Sequence, residues 1–272
     1  MQANSIGFIG AGNMAGSLVR GLIAKGTPAN TIHIADIDSD KLAELAAECG
    51  IQATSSEQIA SHCEVIVLAV KPQVMESVCR ALNHGPQNPL FVSVAAGITL
   101  PQLGNWLGEA AAIVRCMPNT PALVGQGASG LYANDNVSDH QRTTAQQLLD
   151  AVGLSAWVDS EADLDLVTAV SGSGPAYFFL FMEAMQNTAQ EMGLPADLAR
   201  KLVLQTASGA SALAQGSDVA LDELRRRVTS PGGTTERAIN TFEAGHLRQL
   251  VEASLHAARD RSIELAQESD KD

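Results

Sequence analysis

An α/β fold followed by an all-helical domain is what the 272-residue sequence predicts, on three observations. Over about the first 160 residues, short apolar runs alternate with helical patterns, which is typical of a doubly wound, mostly parallel sheet. A glycine-rich turn joins the first apolar run to the first helical pattern. After Glu161 the strand-like runs stop, and long amphipathic stretches follow. We therefore predict two domains, at residues 1–161 and 162–272.

Five apolar runs have the length and residue types of buried strands. They are SIGFIG at 5–10, TIHIAD at 31–36, EVIVLAV at 64–70, PLFVSVAAG at 89–97 and AAIVRCM at 111–117. Helices are predicted between them at 13–26, 38–49, 73–83 and 99–108. The second domain is predicted to contain helices at 175–192, 195–214, 219–228, 235–244 and 247–268. Parallel strands connected in this way bring their carboxyl ends to one edge of the sheet, where ligands bind.

Charge and composition argue against several classes of partner. Lys and Arg total 17 against 30 Asp and Glu, so the net charge of −13 repels nucleic acids and anionic membranes. No stretch reaches the roughly 18 uninterrupted apolar residues of a membrane span, and the N-terminus lacks a signal-peptide pattern. The four Cys residues form no CxxC pair, and the six His residues include no HExxH. We therefore expect no metal site, no membrane partner and a cytoplasmic location.

The first chemical motif is GFIGAGNMAG at residues 7–16, which lies between a predicted strand and a helix. Gly10, Gly12 and Ala15 give the G-x-G-x-x-A spacing of a Rossmann dinucleotide site, and Asn13 and Met14 lie within it. Gly10 permits a tight turn, Gly12 lets a pyrophosphate approach the backbone, and Ala15 lets the helix pack closely on the strand. The alternative is a simple glycine turn, which the position at the first strand–helix junction disfavours.

Asp36 ends the second predicted strand, where an acid usually accepts hydrogen bonds from the ribose of NAD and repels a 2′-phosphate. Taken alone, this residue favours NAD. The same loop also contains Ser39 and Lys41, which are able to meet a phosphate. A second interpretation is that Asp36 or Asp38 caps the following helix.

The ends of the later strands supply further candidate residues. We predict that the loops after the strands ending near 70 and 95 line the cofactor ribose and nicotinamide, through Ala69, Val70, Lys71, Pro72, Ala95 and Gly97. Lys71 is a candidate acid, although a ribose-contacting or solvated lysine before a helix-starting Pro72 is the simpler interpretation. Asn119, held between two prolines, is a candidate cofactor or substrate contact, with a structural turn as the alternative.

The segment TSPGGTTERAIN at 229–240 interrupts one helical pattern and starts another. Proline and two glycines are costly inside a helix, so a turn is expected here. The turn would present backbone N–H groups and two hydroxyls, from Thr234 and Thr235, at a new helix N-terminus. That arrangement suits a ligand with an anionic or hydrogen-bonding edge, and a plain linker between two helices is the alternative.

Together these motifs resemble one known family. The set GFIGAGNMA, LAVKPQ, SVAAGI, VRCMPNTP, AVSGSGPAYFF and above all ELRRRVTSPGGTTERAI, in this order and over essentially the whole chain, is similar to pyrroline-5-carboxylate reductases. The resemblance implies reduction of 1-pyrroline-5-carboxylate to L-proline, the last step of proline biosynthesis. It also implies NADPH or NADH as cofactor, and a C-terminal helical domain that makes a homo-oligomer, either a dimer or an assembly of dimers.

The resemblance also implies which residues bind substrate. The family's Ser-Pro-Gly-Gly-x-Thr turn corresponds to Ser230, Gly232, Gly233 and Thr235, with Thr234 between them. We expect the N–H groups to hold the substrate carboxylate and the Thr235 hydroxyl to meet the ring nitrogen, as the catalytic contact. Asp218 lies near the position where members of the family often have an acid that contacts the amine of proline. The alternative role of Asp218 is to cap the N-terminus of the following helix.

Three other functions are compatible with parts of the sequence. A β-hydroxyacid dehydrogenase shares the layout but needs a lysine early in the first helix of the second domain, where SGSGPAYFFLFMEAM at 171–185 has none. An imine reductase for another cyclic substrate is the second alternative. The third is a non-catalytic dinucleotide sensor, against which the intact substrate turn argues.

Overall fold

A computed structural model of the chain describes residues 5–85 and 88–268. The described residues form one sheet of eight strands, in the order β3-β2-β1-β4-β5-β6-β7-β8. The strands are β1 (Ile6–Ile9), β2 (Ile32–Ala35), β3 (Gln52–Ala53), β4 (Val65–Leu68), β5 (Leu90–Ser93), β6 (Ala112–Met117), β7 (Gly127–Ala133) and β8 (Gly153–Trp157). All neighbouring strands are parallel except β6 and β7, which are antiparallel. The order of the first six strands is that of a Rossmann sheet, whose connections reverse direction between β1 and β4.

Helices cover both faces of this sheet. They are α1 (Asn13–Ala24), α2 (Ser39–Cys49), α3 (Ser56–His62), α4 (Pro72–Ala81), α5 (Leu100–Leu107), α6 (Asp139–Asp150) and α7 (Asp163–Val167). Because side chains alternate along a strand, β4 places Val67 in the core beneath α1, α2 and α6, and Leu68 in the core beneath α3, α4 and α5. Two apolar cores therefore fix the strand ends that form the candidate site.

The predicted fold class is confirmed, and the five predicted strands and four predicted helices of the first domain are present. The sequence patterns missed β3, α3, β7, α6, β8 and α7. Strand β7, with the sequence GASGLYA, has no strong apolar run because small residues are needed for packing. A Cβ atom at Gly130 would lie 2.8 Å from the side chain of Val167, too close for any residue with a side chain.

The helical part contains α8 (Gly174–Glu191), α9 (Ala196–Gln215), α10 (Leu221–Arg227), α11 (Thr234–Ala244) and α12 (Leu247–Glu268). A π-helical turn at Thr168–Gly172 precedes α8. The chain divides into two compact units, one ending at Ser173 and resuming at Ala258, the other at Gly174–Ala257. The domain boundary drawn at residues 161 and 162 stays a prediction.

Large apolar side chains of the second unit are exposed. Phe178, Phe179 and Leu180 on α8 are 68%, 62% and 66% exposed. The run Asp163–Glu191 is also long and apolar enough to span a membrane by length and composition, with 17% of its most apolar window buried. One such helix is weak evidence for a membrane, because exposed apolar side chains also mark contacts between proteins.

Candidate active site

The glycine-rich turn between β1 and α1 has the geometry that its sequence predicts. Gly10 has a φ of +105°, and a Cβ atom there would lie 2.6 Å from the carbonyl oxygen of Ala69 at the end of β4. Gly12 is the N-cap residue of α1 and makes no side-chain cap. A Cβ at Gly12 would meet no protein atom within 4 Å, so packing does not explain the second glycine.

The first turn of α1 follows directly. Asn13 and Met14 are its first two residues, and their N–H groups have no partner within the helix because of their position. Asn13 is exposed, Met14 packs partly against the core, and Ala15 is fully buried against the sheet. This end of α1 therefore presents backbone donors and the positive end of the helix dipole, as a pyrophosphate site requires.

The carboxylate of Asp36 is bonded to the backbone on both oxygens. Its Oδ2 accepts a hydrogen bond from the Ala11 N–H at 2.5 Å, and its Oδ1 accepts one from the Asp38 N–H at 2.8 Å. Asp38 is the N-cap of α2 and accepts from the Lys41 N–H at 3.2 Å. The capping interpretation is therefore correct for Asp38 and wrong for Asp36, which instead anchors the glycine-rich turn.

The cationic and apolar neighbours of Asp36 also have defined roles. The Lys41 ammonium lies 2.8 Å from Asp38, and this hydrogen bond holds the pKa of the Asp38 carboxyl below its usual value. Ile37, between the two acids, is fully exposed. Its exposure is visible only in the structure, because the sequence shows no more than an isoleucine between Asp36 and Asp38.

The loops after β4 and β5 lie at the same edge of the sheet as the glycine-rich turn. Lys71 is the exposed N-cap residue of α4, and Pro72 is its first residue, as predicted. Ala69 and Val70 are half-buried. Ala95 and Gly97 are buried, so this loop offers backbone and small side chains rather than ionisable groups.

Asn119 follows β6 and is 8% exposed. Its Nδ2 donates to the Ser171 carbonyl at 3.0 Å, and its Oδ1 accepts from the Ala128 N–H at 2.9 Å. The side chain therefore joins β7 to the π-helical turn before α8. Its predicted cofactor contact stays a prediction, and the observed bonds show that the alternative, a structural role, is correct.

Glu161 was not singled out from the sequence. Its carboxylate accepts a hydrogen bond from the Leu100 N–H at 2.7 Å and forms an ion pair with Arg115 of β6. The rest of the first turn of α5 is satisfied by a capping box between Thr99 and Gln102. Side chains of the protein therefore accept hydrogen bonds from the backbone N–H groups at the start of α5. No local pattern reveals Glu161, because its partners lie 46 and 61 residues away.

The segment between α10 and α11 is a tight turn. The Gly233 N–H donates to the Ser230 carbonyl at 3.0 Å, and Gly232 has a φ of +71°. Gly233 is the N-cap of α11 and makes no side-chain cap, and exposed Thr234 and Thr235 begin the helix. Their N–H groups are the unpaired donors of a helix start. The turn belongs to the second compact unit and keeps its geometry within that unit.

Asp218 lies in the exposed segment between α9 and α10. The N-cap of α10 is Ala220, without a side-chain cap, so the alternative N-cap role of Asp218 is wrong. Ser217 makes the local contact instead, because its hydroxyl accepts from the Val219 N–H at 3.2 Å. The substrate contact assigned to Asp218 stays a prediction.

The cysteines have no features of reactive groups. Burial raises the pKa of Cys63 to about 11 and that of Cys79 to about 12, and it raises the pKa of Cys116 as well. All four cysteines are free. Within residues 5–85 and 88–268, no group of three or more His, Cys, Asp or Glu side chains is arranged to hold a metal ion.

A pyrroline-5-carboxylate reductase from Pseudomonas aeruginosa is 52% identical over 98% of this chain and 99% of its own length. The chain belongs to the pyrroline-5-carboxylate reductase family. The family model for pyrroline-5-carboxylate reductase dimerisation matches residues 161–265, and a model for F420-dependent NADP oxidoreductases matches residues 5–97.

Solved structures agree with this family assignment. A pyrroline-5-carboxylate reductase from Coxiella burnetii is 44% identical, covers 98% of this chain and 99% of its own, and has a TM-score of 0.94. A Plasmodium falciparum pyrroline carboxylate reductase with NADP bound is 29% identical, covers 98% and 99%, and has a TM-score of 0.85. The family expected from the sequence motifs is thereby confirmed. The dimerisation match, together with the exposed apolar side chains of α8, indicates a homo-oligomer.

Proposed function

We propose that this pyrroline-5-carboxylate reductase family member reduces 1-pyrroline-5-carboxylate to L-proline with NADPH, as the last step of proline biosynthesis. The observation that carries the proposal is the full-length relationship to a curated pyrroline-5-carboxylate reductase at 52% identity. The two motif regions support it. One presents backbone donors at the start of α1, and the other presents them at the start of α11.

The cofactor is assigned to the carboxyl edge of the sheet. The residues proposed to hold it are Gly10, Gly12, Asn13, Met14, Ala15, Asp36, Ala69, Val70, Lys71, Pro72, Ala95, Gly97 and Asn119. The open space at Gly12 and the donors of α1 fit a pyrophosphate, and exposed Ile37 adds an apolar contact for an adenine ring. NADP is favoured by the match over residues 5–97, and NAD remains a usable alternative.

The reaction does not require a strongly acidic or basic side chain from the protein. When bound, the nicotinamide cofactor supplies a hydride to the imine carbon C5, and the electron pair of the C=N bond goes to nitrogen. An iminium that arrives already protonated at nitrogen becomes a neutral amine, so no strong general acid is needed. The chain's own task is to orient a small ring and hold its carboxylate.

The turn before α11 is suited to that task. We assign the substrate carboxylate to this turn, formed by Ser230, Gly232, Gly233, Thr234 and Thr235. The Gly232 and Gly233 N–H groups are already bonded within the chain, so the available backbone donors are those of Thr234 and Thr235. We propose that the Thr235 hydroxyl accepts from the ring N–H or relays a proton. Asp218 is kept as a proposed amine contact.

The assembly and location follow from the same proposal. We propose a dimer or an assembly of dimers, made through the exposed apolar side chains of the helical unit. A cytoplasmic location agrees with four free cysteines, because disulfides form in oxidising compartments.

The proposal is tested by following NADPH oxidation with 1-pyrroline-5-carboxylate and identifying proline as the product. A parallel assay uses 1-pyrroline, which has the same ring without a carboxylate, and its kcat/KM should fall at least a hundredfold. Equal rates with both substrates would indicate an imine reductase of another specificity. Binding of NADPH without any oxidation would contradict the enzymatic function.

A further inference from the structure

The turn before α11 has the hydrogen-bond pattern of a type II β-turn. Its closing bond runs from the Gly233 N–H to the Ser230 carbonyl at 3.0 Å. Pro231 occupies the second position and Gly232, with a φ of +71°, the third. These are the residues that a type II turn prefers, because its third position needs a positive φ.

Glycine permits this conformation without enforcing it. A Cβ at Gly232 would meet no atom within 4 Å, so the surroundings do not restrict this residue sterically. Glycine also populates positive and negative φ about equally. If the peptide between Pro231 and Gly232 flipped, the Gly232 N–H would point elsewhere and the entry into α11 would change. A further contact that holds the Gly232 N–H in its observed direction would therefore favour this turn over the flipped one.

Glu236 makes that contact. Its Oε2 accepts a hydrogen bond from the Gly232 N–H at 2.7 Å, across four residues. Glu236 is the acidic residue in the first turn of α11 and is half-buried, which also suits the helix dipole. The N-cap Gly233 has no side chain to cap the helix, so Glu236 supplies the side-chain contact for this end.

We propose that Glu236 is a positioning residue for the substrate, an inference that rests on the proposed function. Its carboxylate selects the type II turn and thereby sets the direction of the Thr234 and Thr235 N–H groups. The residue acts through the turn and does not touch the substrate. A glutamine at this position keeps an oxygen acceptor of the same length, whereas an alanine removes the acceptor.

The first test measures kinetics for Glu236→Ala, Glu236→Gln and a control, Glu243→Ala. The control removes an acid from the last turn of the same helix, where it pairs with Arg248 and with Arg225 of α10. We expect Glu236→Ala to raise KM for the imine about five- to tenfold and to leave KM for NADPH within twofold. Glu236→Gln and Glu243→Ala should stay within about twofold of wild type for both substrates.

Three results would overturn the inference. One is an unchanged imine KM in Glu236→Ala. Another is a Glu236→Gln variant as impaired as the alanine variant, which would show that charge matters and the hydrogen bond does not. The third is an equal rise in KM for NADPH, which would indicate general disturbance of the fold.

A second measurement does not depend on activity. Amide hydrogen exchange of Gly232, followed by NMR, should become at least fivefold faster in Glu236→Ala than in wild type and should be restored in Glu236→Gln. If wild-type protein failed to reduce the imine while Gly232 showed this pattern, the proposed function would be wrong and the turn selection correct. If Gly232 amide exchange in Glu236→Ala stayed at the wild-type rate and the wild-type enzyme reduced the imine, the role of Glu236 would be refuted and the proposed function would stand.

Discussion

Asp36 offers the sharpest test of how the cofactor end of the site works. Both oxygens of its half-buried carboxylate accept backbone hydrogen bonds, from Ala11 at 2.5 Å and from Asp38 at 2.8 Å. A carboxylate that accepts hydrogen bonds from the ribose hydroxyls would improve the binding of NADH and not that of NADPH. A carboxylate that anchors the glycine-rich turn supports both cofactors, since the pyrophosphate is common to them. The observed bonds favour the anchoring role.

The expected loss of cofactor-binding free energy follows from these two hydrogen bonds. A hydrogen bond to a charged group contributes about 1.5–3 kcal/mol when buried. Because Asp36 is half-buried, water compensates part of the loss, and we expect Asp36→Ala to weaken binding by about 1–2 kcal/mol, a factor of about 5 to 30. Asp36→Asn keeps one acceptor oxygen and should lie between wild type and the alanine variant.

The assay is titration of NADPH and NADH fluorescence, with kcat/KM measured for both cofactors. We expect Asp36→Ala to raise both dissociation constants by similar factors, so that their ratio changes less than threefold. Asp38→Ala is the matched control, because it removes the cap of α2 and leaves the bond to Ala11 in place. Tighter NADPH binding in Asp36→Ala, or a tenfold loss confined to NADH, would refute the anchoring argument.

Three further outcomes are expected. Thr235→Val should lower kcat about tenfold or more with KM for NADPH within twofold, and an unchanged kcat would remove the hydroxyl from the chemistry. Wild-type protein should sediment as a dimer or larger, and Phe179→Glu, which places a charge on the exposed face of α8, should sediment as a smaller species; a wild-type monomer at micromolar concentration would contradict the proposed assembly. Arg115→Met should lower the free energy of unfolding, measured in urea, by about 2 kcal/mol, because it leaves the largely buried Glu161 carboxylate without its cationic partner. Adding Glu161→Gln should recover part of this lost stability. Strictly additive losses in the double variant would show that the two side chains do not stabilise each other.

Local rules allowed much of the fold to be predicted from the sequence. Gly10 adopts the positive φ that the first turn needs, and Pro72 begins α4. The Pro-Gly-Gly interruption ends α10 and lets α11 start at Thr234. These features depend on backbone sterics and on contacts within about four residues, which a sequence states directly. Strand β7, which is made largely of small residues, was not predicted, because its packing partner Val167 lies far along the chain.

The sequence by itself determined the alternating elements, the glycine-rich turn and the helix interruption at the candidate substrate turn. Only the tertiary structure decided which partners the polar side chains take. Asp36 bonds to Ala11 25 residues away, and Asn119 bonds to Ser171 52 residues away. The physical reason is that a carboxylate or carboxamide has several possible partners of similar strength, and the chain's path through the sheet determines which one lies within about 3 Å.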